Sequence, residues 1–537
     1  MEEHTVNFYP GRRSIRVEAG TSIWEAAMRL GVRIPGPCGG QGSCGKCKVV
    51  CSGLTGDEGR ASIDQSDWVS GVRLACRTLV YGDLEVVVPS PDTGGMKVLS
   101  THSHLCIPDL EPLKGGDEEG DLGLVVDIGT TTVAISILEL AKGQEVATAS
   151  DYNRQIVLGE DVLSRIEYSE DHGPSQLRSL VLETINGLIV ACGGKSVRPK
   201  NIKSVCISGN TTMSHLFLGI DPSPIRYEPF MPVVREARIK GAESGLLVHP
   251  EAEVMVMPCI SAYVGGDVTS DILHSAMDRK EGMSLLIDVG TNGEVALGNS
   301  ELLISASSSA GPSFEGGDIC CGMRASPGAI EALSLEENSF SCRVIGDVAP
   351  KGICGSGLID LLATLSENGW VDKKGRFTSR SNAETHEGVR RLRITDEADI
   401  FITEDDIMSL IRTKGAIFSA CRSLLLNLGM DFHELEKVFI CGGFGNYLDL
   451  ESSIRIGLLP DLPRERFQYL GNSSLAGAKM TLLSKKSRER VEAIFNRLTY
   501  LDLSNDPTFF HEYSSALFLP HTDLSLFPSL ETSSRKS

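Results

Sequence analysis

Apolar and polar residues alternate from Thr5 to Phe8 and from Ser14 to Val17, the period of two expected of strands with one buried face, here paired as a hairpin. Thr21 stands where a helix cap belongs, and Trp24, Ala27 and Leu30 follow at helical spacing. Lys48–Cys51 reads as a further strand. Arg73–Arg77 reads as a segment returning to the same small domain. From Pro89 to Asp121 the periodicity stops: Pro89-Ser-Pro-Asp-Thr-Gly-Gly95 and Lys114-Gly-Gly-Asp-Glu-Glu-Gly120 are turn and linker chemistry. Beyond it, apolar runs return in duplicate. Leu124-Val-Val-Asp-Ile-Gly-Thr-Thr-Thr-Val-Ala134 is matched by Leu285-Leu-Ile-Asp-Val-Gly-Thr-Asn-Gly-Glu-Val-Ala296, each a buried strand, an Asp at its end, a Gly-Thr turn and a second strand. The pattern predicts a small domain over residues 1–90, a linker over 91–121, two related units over 122–280 and 281–485, an extension packed on them over 486–528, and a disordered tail over 529–537.

Four cysteines add chemistry to the first domain. Cys38, Cys44, Cys47 and Cys76 are spaced C-x5-C-x2-C-x28-C, with three of them in one turn containing Gly39, Gly40, Gly42 and Gly45. Glycines let such a turn take positive φ and aim backbone N–H groups at sulfur, as an iron–sulfur cluster held by four thiolates requires. Structural zinc sites, the alternative, usually pair their ligands as two short hooks. Cys51 lies on the same strand side as Cys47 and reads as a buried apolar thiol outside the ligand set. The spacing resembles the [2Fe–2S] ferredoxins of the adrenodoxin type, which implies a β-grasp domain with Cys38, Cys44, Cys47 and Cys76 as ligands. The linker would then tether a mobile electron carrier, or join two domains without functional motion.

Composition narrows the setting. The formal charge of −20 on 537 residues argues against a nucleic-acid partner, which would need clustered Lys and Arg. No run approaches a membrane span, and the start of the chain has neither the basic nor the apolar region of a secretion signal, so a cytoplasmic protein is expected. Of the 15 cysteines, most outside the cluster loop are scattered singly, as in Cys192, Cys206, Cys259, Cys342 and Cys421, which suits a reducing compartment.

The duplicated hairpins suit phosphate binding. Asp127 and Asp288 could bind Mg²⁺ directly or through water, while turn N–H groups and hydroxyls surround phosphoryl oxygens: Gly129, Thr130, Thr131 and Thr132 in the first copy, Gly290, Thr291 and Asn292 in the second. One copy is a weak signal, since a strand-Asp-Gly-strand run is also a plain hairpin. A second duplicated element strengthens it. Val205-Cys-Ile-Ser-Gly-Asn-Thr-Thr-Met213 and Val438-Phe-Ile-Cys-Gly-Gly-Phe-Gly-Asn446 each end an apolar strand in a glycine turn, where bare backbone at Gly209 and Asn210, or at Gly442–Gly445, could lie against a nucleotide. This order resembles the actin, sugar kinase and Hsp70 superfamily. The resemblance implies a duplicated α/β ATPase fold, Asp127 and Asp288 opening its phosphate hairpins, and Gly442, Gly443, Phe444 and Gly445 in an adenosine-binding turn. Lys351–Asp360 looks like the helix connecting the halves.

A [2Fe–2S] ferredoxin, a linker and an actin-like ATPase together resemble the reductive activators of corrinoid proteins. The resemblance runs to about His521 and includes Pro258–Asp267, Ser309–Gly316, Asp506–Phe510 and Leu517–His521. It implies an α+β and α/β multidomain enzyme that carries ATP, Mg²⁺ and the cluster, receives electrons from a low-potential donor, and returns a Co(II) corrinoid protein to Co(I). Relatives that act on methylamine methyltransferases carry C-terminal four-iron clusters; no dense C-x2-C run appears here, so the N-terminal cluster is the sole recognisable redox centre. Energetics explain the ATP: a plant-type cluster near about −400 mV facing an acceptor roughly 120 mV lower is disfavoured about 100-fold, or about 2.8 kcal/mol. That lies within the roughly 1–3 kcal/mol of ordinary allosteric coupling. A small-molecule kinase would leave the ferredoxin idle, and a nucleotide-gated electron-transfer or chaperone-like module remains as the other alternative. Cys320, Cys321 and Cys354 could suggest a four-iron cluster, but adjacent cysteines are poor geometry for one and buried packing is the expectation. A homodimer is left open.

Overall fold

The computed structural model describes residues 3–9, 13–32, 34, 40, 47–56, 68, 71–88, 120–193, 197–290, 292–336, 339–386, 388–395, 397–442 and 448–533. Its N-terminal sheet has the strands β1 (Glu3–Tyr9), β2 (Arg13–Glu18), β3 (Lys48–Thr55), β4 (Val72–Leu74) and β5 (Val80–Val87), in the order β2-β1-β5-β3-β4. β1 pairs antiparallel with β2 and parallel with β5, so the first and last strands of this domain meet centrally, as in a β-grasp ferredoxin. Helix α1 (Ile23–Leu30) crosses one face and buries Ile23, Trp24, Ala26 and Ala27. Its cap is Ser22, whose hydroxyl accepts from Glu25 N; the expected cap, Thr21, instead donates to Glu18 O at 2.8 Å, one residue too early to reach the first helical amides. The tether expected over 91–121 falls almost wholly outside the described residues.

Two six-stranded sheets follow. The first runs β10-β11-β9-β6-β7-β8, with β6 (Leu122–Ile128), β7 (Thr132–Glu139), β8 (Glu145–Tyr152), β9 (Ile202–Gly209), β10 (Ala237–Lys240) and β11 (Glu253–Val256). The second is built from β12 (Ser284–Val289), β13 (Gly293–Gly298), β14 (Leu303–Ser308), and the later strands Lys437–Cys441, Phe467–Gly471 and Leu498–Tyr500. In both, an antiparallel three-strand meander opens with the Asp-bearing strand. That strand then pairs in parallel with the glycine-ended strand: Asp127 opposite Ser208 in the first, Asp288 opposite Cys441 in the second. The internal repeat of the sequence is thus a repeat of topology. Continuous apolar runs such as Leu124–Val126 and Leu285–Ile287 are wholly buried because helices cover both faces of each sheet.

Helices of the first half are α2 (Val162–His172), α3 (Ser175–Ala191), α4 (Thr211–Leu218) and α5 (Gly266–Ser275); those used below in the second are α6 (Gly355–Glu367), α7 (Glu404–Asn427), α8 (Ser473–Leu483) and α9 (Lys485–Arg497). The halves meet where α5 crosses α8: a Cβ on Gly477 would stand 2.1 Å from Ser270 O, so only glycine permits this approach. This corrects the expectation for Lys351–Asp360. That segment does open a helix, α6, but a Cβ on its Gly357 would meet Ile330 O at 2.4 Å, because the helix packs on the strand Ala329–Glu336 of its own half. The C-terminal segment is anchored by Lys414 of α7, fully buried, whose Nζ donates to Phe518 O and Pro520 O, each at 2.6 Å. Pro528–Ser533 forms a short helix, with Ser529 N donating to Asp461 Oδ2 at 2.7 Å, where a disordered tail was expected.

Candidate nucleotide cleft and cluster site

Between the two halves lies a cleft enclosing about 320 Å³, lined by both hairpins. Of the residues expected there, Asp127, Gly129, Thr130, Thr131, Thr132, Asn210, Asp288, Gly290, Asn292 and Gly442 line it; Gly209 does not. Gly209 is required for another reason, since its Cβ would lie 2.6 Å from Ile128 O on the neighbouring strand. Thr291, Gly443, Phe444 and Gly445 fall outside the described residues.

The first turn is held from behind. Gly129 N donates to Thr132 O and Asn153 N to Thr131 O, each at 2.9 Å, while Asn210 Nδ2 reaches Thr130 Oγ1 at 3.1 Å. Asp127 accepts from Asn472 Nδ2 at 2.9 Å on one oxygen and from Ser474 Oγ at 2.8 Å on the other, both from the second half of the chain. Ser474 Oγ lies 2.9 Å from Ser208 Oγ, which lies 3.0 Å from Ser270 Oγ on α5. Asp288 accepts from no group among the described residues, and the Cβ that Gly442 lacks would sit 2.6 Å from its Oδ1.

Four further carboxylates converge on the cleft: Asp267, Asp271, Glu294 and Glu315. Burial, then Asp267, Asp127 and Glu315, push Asp288 up to about 8; burial, with Asp127 adding, pushes Asp267 up to about 6. Asp271 and Glu294 are also raised, first by burial and then by neighbouring carboxylates. Asp271 Oδ2 is buried without a hydrogen-bond partner among the described residues. Such crowding of like charges calls for a cation. Mg²⁺ takes one or two carboxylates and fills the rest of its octahedron with water and phosphate, a demand that Asp127 and Asp288 at the ends of the two hairpin strands could meet. Arg324, 3.4 Å from Thr131 Oγ1, and Glu315, accepting from that hydroxyl at 2.9 Å, bring the second half onto the first turn.

Sequence reasoning missed Asp267, Asp271, Glu294, Glu315, Arg324 and the Asn472–Ser474 cap. One signal was available for the cap: Gly209-Asn210 before α4 and Gly471-Asn472 before α8 are the same strand-Gly-Asn-helix junction, each Asn capping its helix.

In the ferredoxin, Cys38 and Cys44 lie outside the described residues. Cys47 Sγ and Cys76 Sγ stand 3.2 Å apart, within hydrogen-bond reach and with no disulfide between them. Two thiolates on one tetrahedral metal at about 2.3 Å lie roughly 3.7 Å apart, so the pair needs little movement to share an iron. Trp24 packs in the same core as Cys47; its Nε1 is buried without a partner among the described residues and would stand 2.7 Å from a Cβ on Gly40, the glycine of the cluster loop at φ +89°. An orphaned donor and a glycine cradle beside paired thiols suit a cluster rich in acceptor sulfur. Cys51 is partly buried in this core, its thiol pushed up by burial. Cys354 is buried as expected, Cys321 partly so, and Cys320 is exposed, contrary to expectation.

Residues 7–81 match the family described as the 2Fe-2S iron-sulfur cluster binding domain, 122–280 the RACo middle region, and 282–531 the C-terminal domain of RACo, the ASKHA domain. Over 412 residues the sequence is 34% identical to the corrinoid activation enzyme RamQ of Eubacterium limosum, covering 73% of this chain and 69% of that one. The chain belongs to the RACo family. A more distant RACo relative, the [Co(II) methylated amine-specific corrinoid protein] reductase of Methanosarcina barkeri, is 25% identical over 425 residues, or 73% of this chain and 76% of the relative. The solved structure titled reductive activator for corrinoid, iron-sulfur protein superposes with a TM-score of 0.71 at 34% identity, covering 98% of this RACo chain and 100% of that one. The cofactors that go with these domains are a [2Fe–2S] cluster, ATP and Mg²⁺. No helix among the described residues is long and apolar enough to cross a membrane.

Proposed function

We propose that this chain is an ATP-dependent reductive activator that passes one electron from its ferredoxin domain to the Co(II) form of a corrinoid protein, yielding Co(I), with ATP hydrolysed in the cleft. The observation that carries the reading is the pairing, in one chain, of a thiol-lined ferredoxin core with a carboxylate-rich cleft between duplicated halves. The named relatives support it. A kinase of a small molecule would account for the cleft alone.

In this reading Cys38, Cys44, Cys47 and Cys76 hold the cluster, which when bound supplies a one-electron couple. Asp127 and Asp288 serve Mg²⁺ and the phosphates; the first turn, with Asn210, and the second, with Gly290, Thr291 and Asn292, surround phosphoryl oxygens; Gly442–Gly445 receive the adenosine. Asp267 lines the same cleft beside Asp127 and Asp288 and orients the attacking water. Closing the halves about the α5–α8 crossing couples nucleotide occupancy to the affinity for the Co(II) partner, and hydrolysis resets the complex. The scattered single cysteines favour a reducing, cytoplasmic setting, with a low-potential donor upstream.

The test supplies reductant, Mg·ATP and candidate Co(II) corrinoid proteins and follows the visible spectrum. The Co(I) spectrum should develop only with ATP, and the partner should accelerate ATP hydrolysis. Removing residues before about Leu122 should spare nucleotide binding and stop electron delivery. Equal Co(I) formation without ATP across the candidates would leave a plain electron-transfer protein.

A further inference from the structure

Arg165 of α2 is fully buried, the largest side chain among the described residues to be so. Its partners are all neutral: Nη2 donates to Thr130 O at 2.5 Å, Nε to Gly159 O at 2.8 Å, and Nη1 to Gln155 Oε1 and Met213 Sδ, each at 3.1 Å. No carboxylate of the described residues forms an ion pair with it. The charges that act on it are Asp161 and Glu160, favourably, and Arg324, unfavourably. An unpaired buried guanidinium is costly, and a fold retains one where something else rewards it.

The contact with Thr130 O supplies the reason. A trans peptide is planar, with its carbonyl and its N–H pointing in opposite directions. Fixing the Thr130 carbonyl behind the turn therefore aims the Thr131 N–H into the cleft. Asn153 does the same for the preceding peptide, its Nδ2 donating to Gly129 O at 2.9 Å, which aims the Thr130 N–H forward. Gln155 ties the two supports together, accepting from Arg165 and, at 3.2 Å, from Asn153 Nδ2. All four carbonyls from Gly129 to Thr132 are thus engaged within the fold, whereas no described residue accepts from the Thr130 or Thr131 N–H. The first turn presents donors only, the surface an anionic phosphate requires.

We propose that Arg165 is the positioning residue of the first phosphate turn: its guanidinium locks the Thr130–Thr131 peptide with the N–H toward the cleft and places a fixed positive charge behind the bound phosphates. The charge matters because the rest of the cleft is crowded with carboxylates, so a phosphate entering it needs a cation on the protein side as well as Mg²⁺. Without Arg165 the peptide is free to flip, and a carbonyl oxygen would then face the phosphate.

The inference rests on reading the cleft as an Mg·ATP site. That reading is checked first, by calorimetric titration of the full-length, cluster-loaded wild type with Mg·ATP; absence of binding there would sink the reading itself. Given wild-type binding, Arg165→Gln and Arg165→Lys are titrated with Mg·ATP and with adenosine. Arg165→Gln should bind Mg·ATP at least tenfold more weakly while adenosine affinity changes less than twofold, since the nucleoside does not touch the turn. Arg165→Lys keeps the charge and loses the planar fork that spans two carbonyls, so it should recover only part of the loss. It also serves as the deciding variant if the Gln protein does not fold. Equal losses for Mg·ATP and adenosine would reduce Arg165 to a packing residue, and Mg·ATP affinity at the wild-type level in a folded Lys or Gln variant would overturn the proposal.

Discussion

Asp127 and Asp288 occupy equivalent places in the two halves, each ending the first strand of a meander beside a parallel glycine-ended strand, yet their surroundings are opposite. Both oxygens of Asp127 accept hydrogen bonds from the N-terminal end of α8, Asn472 at its cap and Ser474 in its first turn, whereas Asp288 stands among carboxylates without a donor among the described residues. Duplication preserved the backbone and let the side-chain environments diverge. The first turn is a prearranged cradle, and Asp288 stands amid the charge, drawn from both halves, that a metal must neutralise.

The sharpest way to break this contrast is Asp288→Asn. It should lower ATP turnover by about 100-fold or more, because a carboxylate exposed to the metal is lost at the cleft, while the metal-free protein should become no less stable, since a crowded buried charge is removed. Asp127→Asn should do the reverse in the melting experiment, costing about 1–3 kcal/mol by placing an amide N–H₂ against donors. Similar melting shifts for both would erase the distinction.

A pH titration sharpens it next. Asp288 is about 8 in the folded, metal-free protein against the ordinary value of 3.8, so between those limits the folded state binds more protons than the unfolded one. Its contribution to stability is therefore full below pH ~4 and declines as pH rises to ~8. Denaturant melts of metal-free protein should show that decline, and Asp288→Asn should make it shallower without abolishing it, since Asp267, Asp271 and Glu294 are raised as well. Mg·ATP should flatten it too, with proton release detectable as a buffer-dependent heat of binding. A stability rising over this interval would contradict the crowding.

At the crossing where the halves meet, Gly477→Ala should cost about 1–3 kcal/mol, because the added methyl confronts the backbone of α5 rather than a side chain that can move. Nucleotide closure should suffer with it, seen as a smaller protection of the cleft against hydrogen exchange on adding Mg·ATP.

The contrast between satisfied and orphaned groups recurs in the ferredoxin. If the buried Trp24 N–H donates toward cluster sulfur, Trp24→Phe should shift the oxidised-to-reduced equilibrium about tenfold toward the oxidised form, a midpoint about 59 mV more negative, with iron content unchanged. Cys51→Ser should leave the reduced EPR signal intact, the smallest change of the set.

Much of this was legible along the chain. The period of two, the cysteine spacing and the repeated Asp-x-Gly-Thr turns locate the ferredoxin and both hairpins, because strand alternation and turn chemistry are local properties. What escaped depends on distant contacts. The Asn472 and Ser474 groups that hold Asp127 lie 345 and 347 residues from it. Arg165 sits on a helix where an arginine ordinarily reads as a solvated face, and only the fold turns it inward. The small residues of α6 resembled a helix crossing between halves, but small residues mark any close approach, and here the neighbour is a strand of the same half.

The serine hydroxyls behind Asp127 carry a direction as well as a structure. Each hydroxyl has one proton to give. While Asp127 is ionised Ser474 must give its proton to the carboxylate, so its contact with Ser208 is one in which Ser208 donates, and the next contact is one in which Ser270 donates. Protonating Asp127 lifts that requirement and lets all three hydroxyls turn round. The ionisation of one residue in the cleft is thereby written into the orientation of a hydroxyl on α5, the helix on which the two halves bear.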